Sequence, residues 1–229
     1  PSVISWAWRG QEQLHSFCPA PQGYSWFYPW FGGLHTTIKP SQDTDGEIGC
    51  LHRERVAAAP LEALDAAGII WRGVRLSARP EKETLRDLAI EVDWLTVGES
   101  PVIKLVYRLS NLRPAAQHAH LLVRASFGLG GAPTDLILRG EGQERRPTNW
   151  SSWRWGARWG LLTHRDTGRS VALISPEPCV LLSDQGQYGR LLGLNKEMRL
   201  AGDGVAEVTA YFVLGAAPEE ALAYRALAE

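Results

Sequence analysis

Cysteine is scarce in this sequence. The three present, Cys18, Cys50 and Cys179, are odd in number, far apart and free of any C-x-x-C spacing, so neither a disulfide framework nor a zinc site is suggested. Reduced thiols and a cytoplasmic location are the expectation. An excess of one charge sign is missing too: 24 Lys and Arg face 25 Asp and Glu, so no global field draws in nucleic acid or an anionic membrane. The longest apolar run, VTAYFVLGAA (208–217), falls short of the roughly 20 residues of a membrane-spanning helix, and a soluble protein without a membrane partner is expected. The chain opens on Pro1 without a basic segment leading into an apolar one, so no signal peptide is expected. A G-x-S-x-G elbow and a Walker lysine are lacking, and the glycine-rich ASFGLGGAP (125–133) has no Rossmann pattern and opens no helix; serine hydrolysis and nucleotide chemistry have no support. No cofactor and no metal is expected.

Helical periodicity is also sparse. PLEALDAAG (60–68) reads as a short surface helix closed by Gly68, and PEEALAYRALAE (218–229) as a terminal helix with Pro218 at its first position and acids in its first turn. What fills the chain from about residue 70 is alternation with period two, the pattern of half-buried strands. In LAIEVDW (88–94), Leu88, Ile90, Val92 and Trp94 share one side and Ala89, Glu91 and Asp93 the other. VIKLVYRLSN follows across the turn GESP as an antiparallel partner, and further strands are expected at 116–129, 158–166, 170–176, 180–184 and 205–215. Many short strands and almost no helix predict two large antiparallel sheets packed face to face, in a single domain over residues 1–229.

Aromatic rings are concentrated in two places. YSWFYPWFGGLH (24–35) puts Trp26, Tyr28 and Trp30 on one side of an extended segment and ends in Gly32, Gly33 and His35. A pyranose offers an apolar C–H face and a rim of hydroxyls, which a flat ring and planar polar groups complement; Tyr28, Trp30 and His35 are the candidates here. The same rings would also serve to close the open end of a sandwich as core. NWSSWRWGARWG (149–160) interleaves Trp150, Trp153, Trp155 and Trp159 with Arg154 and Arg158; it reads either as a stacking surface or as Arg–Trp packing that stiffens a loop. Single-stranded nucleic acid would need a longer basic groove than this neutral chain supplies. His118 and His120 form an H-x-H pair on one side of a strand, a spacing that seats a metal only if a third ligand arrives, and none is legible. His52 and Arg53 lie in CLHRER (50–55), which reads as a hydroxyl-recognising mixed-charge face or as a solvated edge strand.

The order of the later segments resembles a known family. VIKLVYRLSNLRPAAQHAHLLVRASFGLGG (102–131) looks like the central hairpin of galactose mutarotase-like (aldose 1-epimerase-like) proteins, whose second strand closes in an H-x-Y-F-N-L-x-G signature; Phe127, Leu129 and Gly131 keep its apolar and turn positions. VLLSDQG (180–186) resembles the family's penultimate strand and MRLAGDGVAEVTAYFVLG (198–215) its closing turn and final strand. The resemblance spans roughly residues 85 to 215 and implies an all-β supersandwich with few short helices and a C-terminal helix. The family opens a hexose ring with a carboxylate base and a histidine acid. On this alignment the histidine position holds Arg124 and the glutamate position Ser183, with Asp184 beside it. An arginine gives up no proton at neutral pH, so the resemblance implies sugar binding without ordinary mutarotation.

The expected function is therefore recognition of a saccharide on the concave sheet face by Arg124, Trp30, Tyr28 and His35, with His52, Arg53, Trp153 and Trp155 behind them. Two rivals stand beside it. One is a carbohydrate epimerase, lyase or hydrolase relative using His35, His52 or His118 as acid and Asp184 or Glu54 as base. The other is a structural module whose aromatic strips pack on a neighbouring domain or a second copy of the chain.

Overall fold

The computed structural model describes residues 2–3, 6–14, 34–39, 54–81, 85–131, 135–145, 152–186 and 189–228. Within them the strands are β1 (Ser2–Val3), β2 (Ala7–Trp8), β3 (Gln11–Glu12), β4 (Leu34–Lys39), β5 (Val56–Leu64), β6 (Ile70–Ala78), β7 (Leu88–Thr96), β8 (Val102–Asn111), β9 (Gln117–Phe127), β10 (Leu136–Gly140), β11 (Gln143–Arg145), β12 (Ser152–His164), β13 (Ser170–Gly186), β14 (Gly189–Leu200) and β15 (Val205–Gly215). Among the described residues helix is confined to α1 (Pro218–Leu222) and a 3-10 segment over Ala223–Ala228. No helix of the described residues is long and apolar enough to cross a membrane.

All but β2 and β3 join one antiparallel sheet, in the order β1-β4-β9-β14-β13-β15-β8-β7-β6-β5, with β12 beside β13 and β10 and β11 beyond it. The sheet becomes two layers because of β13. Its first part, Ser170–Ile174, pairs with β15, while Val180–Gly186 pairs with β14. Between them the register against β12 jumps from Trp159↔Ile174 to Ala157↔Cys179, so residues 175–178 stand against Arg158 alone. Two of those four are Pro176 and Pro178, which bring no N–H to a ladder. The irregularity redirects the strand, and the sheet curls over itself.

The core fills the space between the layers. Leu34 and Ile38 of β4, Leu121, Val123 and Phe127 of β9 and Leu192 and Leu194 of β14 meet Ile90 and Val92 of β7, Leu105, Tyr107 and Leu109 of β8 and Phe212 of β15. Phe127 and Phe212 lie 5.7 Å apart between ring centroids, and the hydroxyls of Thr36 and Tyr107 share a hydrogen bond of 2.7 Å across the interior. Burial pushes the Tyr107 phenol well above its ordinary pKa, with the bond to Thr36 opposing. Cys179 is buried as well, and burial raises its thiol to about 11, which makes it an inert packing group. A smaller apolar cluster on the outside of the second layer, including Trp71, Leu95, Val102, Tyr211 and Val213, receives Ala221 of α1.

Alternation identified the strands well: the expected 88–94 is Leu88–Thr96 and the expected 205–215 is Val205–Gly215. The expected helix at 60–68 is instead the end of β5 and the turn after it. Nine residue pairs tie β5 to β6, and sheet pairing outweighs the helix propensity of an Ala/Leu-rich stretch. The stop signal belongs to the hairpin. Asp65 accepts hydrogen bonds from the Ala67 and Ile69 amides and the Trp71 indole, and Gly68 takes φ +79°, in the left-handed region that favours glycine. The segments 170–176 and 180–184 are one strand rather than two, and the terminal helix is α only to Leu222.

Candidate functional site

Residue parity divides the first layer into two faces. On β9 the odd positions Ala119, Leu121, Val123, Ala125 and Phe127 belong to the core. The even positions His118, His120, Leu122, Arg124 and Ser126 therefore line the other side. Register extends this face across neighbouring strands. The paired positions Arg154, Leu182, Gly193, Arg124 and His35 form one run over β12, β13, β14, β9 and β4. The next run along β9 holds Asn195, Leu122 and Thr37, and the one after it Glu197, His120 and Lys39.

Arg124 sits at the middle of this face, and Gly193 makes room for it. A Cβ at residue 193 would stand 2.3 Å from the Val123 carbonyl oxygen, closer than a Cβ tolerates, and a tight 3.1 Å from Arg124 Cγ. Glycine lets β14 approach β9 while the arginine stem lies over it. At the far end, His118 Nδ1 lies 3.1 Å from Glu197 Oε1, both residues being exposed. Among the described residues no three His, Cys, Asp or Glu side chains gather as a metal site.

On both sides of Arg124 the face carries polar atoms that are buried and have no hydrogen-bond partner: Ser126 Oγ towards one end, and Thr37 Oγ1, His120 Nδ1 and Asn195 Oδ1 towards the other. Thr37 is 1% exposed and Ser126 5%, whereas His120, Leu122 and Asn195 are half-buried and open the patch to solvent. Leaving a buried polar atom without a partner costs about 1–3 kcal/mol. Buried polar atoms without a partner are uncommon in folded proteins, and four of them fall on this face.

Several sequence candidates fall elsewhere. Tyr28, Trp30, His52 and Arg53 lie outside the described residues. His35, Trp153 and Asp184 are described through their backbone: the Cα of His35 pairs with that of Arg124, Trp153 with Ser183, and Asp184 with Ser152. Trp155 is not brought to the Arg124 face. It pairs with Leu181, Leu181 with Leu194, and Leu194 with Val123, which is the core side, where its ring packs over Gly140 and against the main cluster. Arg154, one residue earlier, takes the Arg124 side and is exposed. Parity would have separated the two had the register of β12 been legible from sequence. Asn195 and Thr37 carried no motif; each is an ordinary residue in an alternating strand, and only the pairing of β4, β9 and β14 puts them together.

No family model matches the chain, and no curated protein matches it by sequence. Solved structures do match. A candidate aldose 1-epimerase from Klebsiella pneumoniae superposes with a TM-score of 0.63 at 10% identity, covering 99% of this chain and 75% of that one. A GH36 α-galactosidase, AgaA from Geobacillus stearothermophilus, gives 0.52 at 9% identity over 95% of this chain. The galactosidase domain of an α-galactosidase-sucrose kinase gives 0.51 at 13% identity over 88%. The chain spans only 35% and 34% of those two galactosidase chains. At such identities the likeness shows the fold alone, and the fold is the all-β, galactose mutarotase-like sandwich.

Proposed function

We propose that this protein binds a carbohydrate on the β4-β9-β14 face and does not itself catalyse mutarotation. One observation carries the reading: Arg124, at the centre of that face, is paired with His35 on one side and with a glycine on the other that a Cβ would close. Support comes from the fold, shared with a candidate aldose 1-epimerase and with galactosidases, since a scaffold of this kind presents the same face whether or not it carries chemistry. A guanidinium offers five N–H donors in a planar fork, suited to ring hydroxyls. It is always charged, so it cannot serve as the proton donor that ring opening needs. On the alignment drawn from the sequence, the family's histidine and glutamate are replaced by Arg124 and Ser183.

Titration of the chain with hexoses, followed by calorimetry and by intrinsic tryptophan fluorescence, tests the binding. Arg124→Ala is expected to weaken a hexose at least tenfold, the loss of one or two charge-assisted hydrogen bonds. A pure α-anomer followed by polarimetry is expected to mutarotate no faster with protein than in buffer. Acceleration that disappears in His35→Ala would overturn the proposal in favour of an epimerase. Silence towards every sugar would favour the interaction-module reading.

A further inference from the structure

We infer that a cleft beside the turn between β7 and β8 is a second site, for a small organic cation such as an amine or a quaternary ammonium, and that Arg9 lies in it as a built-in competitor. The cleft has a volume of about 910 Å³, and its lining includes Trp6, Trp8 and Arg9 from the N-terminal hairpin, Glu99 from the turn, and Glu220 and Tyr224 from the C-terminal helical segments. Among the described residues β4, β9 and β14 contribute nothing to it, so the inference is independent of the carbohydrate reading.

The lining has the chemistry that holds a cation. Trp6, Trp8 and Tyr224 are half-buried; the two tryptophans pack on the main apolar cluster and the tyrosine on the smaller one. Packing fixes the rings and leaves part of their surface to the cleft, where an aromatic face attracts positive charge. Glu99 and Glu220 against Arg9 leave the lining with one net negative charge. The Glu99 carboxylate is exposed and has no ion-pair or hydrogen-bond partner among the described residues.

The chain already seats a guanidinium there. Arg9 Cζ lies 4.4 Å from the centroid of the Trp8 ring, and Arg9 Nη2 lies 4.0 Å from Glu220 Oε2. Arg9 and Gly10 form the tip between β2 and β3, at φ +51° and +72°. Positive φ at both positions marks a tight hairpin turn that prefers asparagine, aspartate or glycine in first place. An arginine adopts it against its steric preference, and what it adds is a charge over Trp8. The seat is loose: the Arg9 side chain is 57% exposed, and an exposed ion pair at the limit of contact stabilises little. Glu220 also accepts the Ala216 amide at 2.7 Å, which holds its carboxylate in place with or without Arg9. A free cation that meets the rings and the unpaired Glu99 displaces the arginine.

Calorimetry on the full chain with choline and putrescine, against the uncharged choline isostere dimethylbutanol and inorganic phosphate, tests the site. Both cations are expected to bind, and added salt to weaken them; the uncharged isostere is expected to bind at least about fivefold more weakly than choline. Trp8→Leu is expected to weaken choline about fivefold, and Glu99→Gln, a change on an exposed side chain, about threefold. Arg9→Gly suits the positive φ, so it is expected to keep the near-ultraviolet circular dichroism and, by removing the competitor, to tighten choline about threefold. Hexose affinity is expected to stay unchanged in all three variants. Absence of cation binding, equal affinity for the uncharged isostere, a preference for phosphate, or weaker choline binding in Arg9→Gly would each overturn the inference and leave carbohydrate binding untouched. Silence towards sugars with choline bound would remove the carbohydrate reading and leave this one standing.

Discussion

The outer faces of the two layers handle buried polarity in opposite ways. On the second layer the buried charge of the described residues, that of Asp93, is matched. Asp93, 3% exposed, takes two hydrogen bonds from Arg75 (2.6 and 2.9 Å) and one from Arg108 (2.6 Å). Glu207 stands 2.9 Å from Arg108 and Glu91 3.9 Å from Arg75 on the rim. Lys104 lies 5.0 and 5.7 Å from the rings of Trp71 and Tyr211. On the first layer, Thr37, His120, Ser126 and Asn195 keep polar atoms buried and unmatched. Both faces come from alternating strands of similar length, so the difference is not one of secondary structure. A satisfied network holds a face in a single arrangement, whereas each unmatched buried polar atom carries an uncompensated desolvation cost.

The largest effect is expected from breaking the matched face. Asp93→Ala leaves two guanidinium groups facing each other. A fully buried ion pair that loses one member costs about 3–5 kcal/mol, and because Arg75 and Arg108 can turn towards water the expected loss is about 2–3 kcal/mol, read as a lowered urea midpoint. The same carboxyl sets an acid limit. Burial alone would raise its pKa, but the hydrogen bonds from Arg75 and Arg108 outweigh that and hold it below the ordinary value. A carboxyl depressed in the folded state stabilises above its unfolded pKa, about 3.9, and this contribution is lost as pH falls below about 4 through the lower folded value. Urea titrations at pH 7 and pH 3 should show the wild-type advantage over Asp93→Ala shrink at the lower pH.

Gly193→Ala probes the other face. The added methyl meets backbone at 2.3 Å, so β14 must separate from β9 at a cost of about 1–3 kcal/mol, and Arg124 must shift. Sugar affinity is expected to fall together with melting temperature, whereas Asp93→Ala should leave the affinity of the folded protein intact. A G193A protein that binds normally would detach Arg124 from the site. The smallest loss is expected from Tyr107→Phe in the core between the faces. It deletes the bond to Thr36 and leaves that hydroxyl unpaired, costing about 1–2 kcal/mol, with no change in binding.

Much of this architecture was legible beforehand, because period-two alternation follows from burying one side of a strand and needs no tertiary knowledge. The helix expected at 60–68 shows the limit. Its composition favours helix, but β5 exists because β6 lies beside it, and a pairing partner is invisible in a local window. Arg124 was found through a family resemblance rather than through any property of the residue. Aromatic character alone marks Trp155 as a stacking candidate, yet one step of parity packs it against the core and turns Arg154 outward instead.

By itself the sequence determined the class of structure: alternation, turn residues and the scarcity of helix permit little besides antiparallel sheet. Which strands became neighbours was decided only in three dimensions. Pro176 and Pro178 interrupt β13 and send its two parts to different partners, which sets β14 beside β9 and β4 and gathers Thr37, His120, Arg124 and Asn195 on one face. Side-chain parity is local and period two records it; strand order is a matter of long-range pairing, and no local pattern carries it.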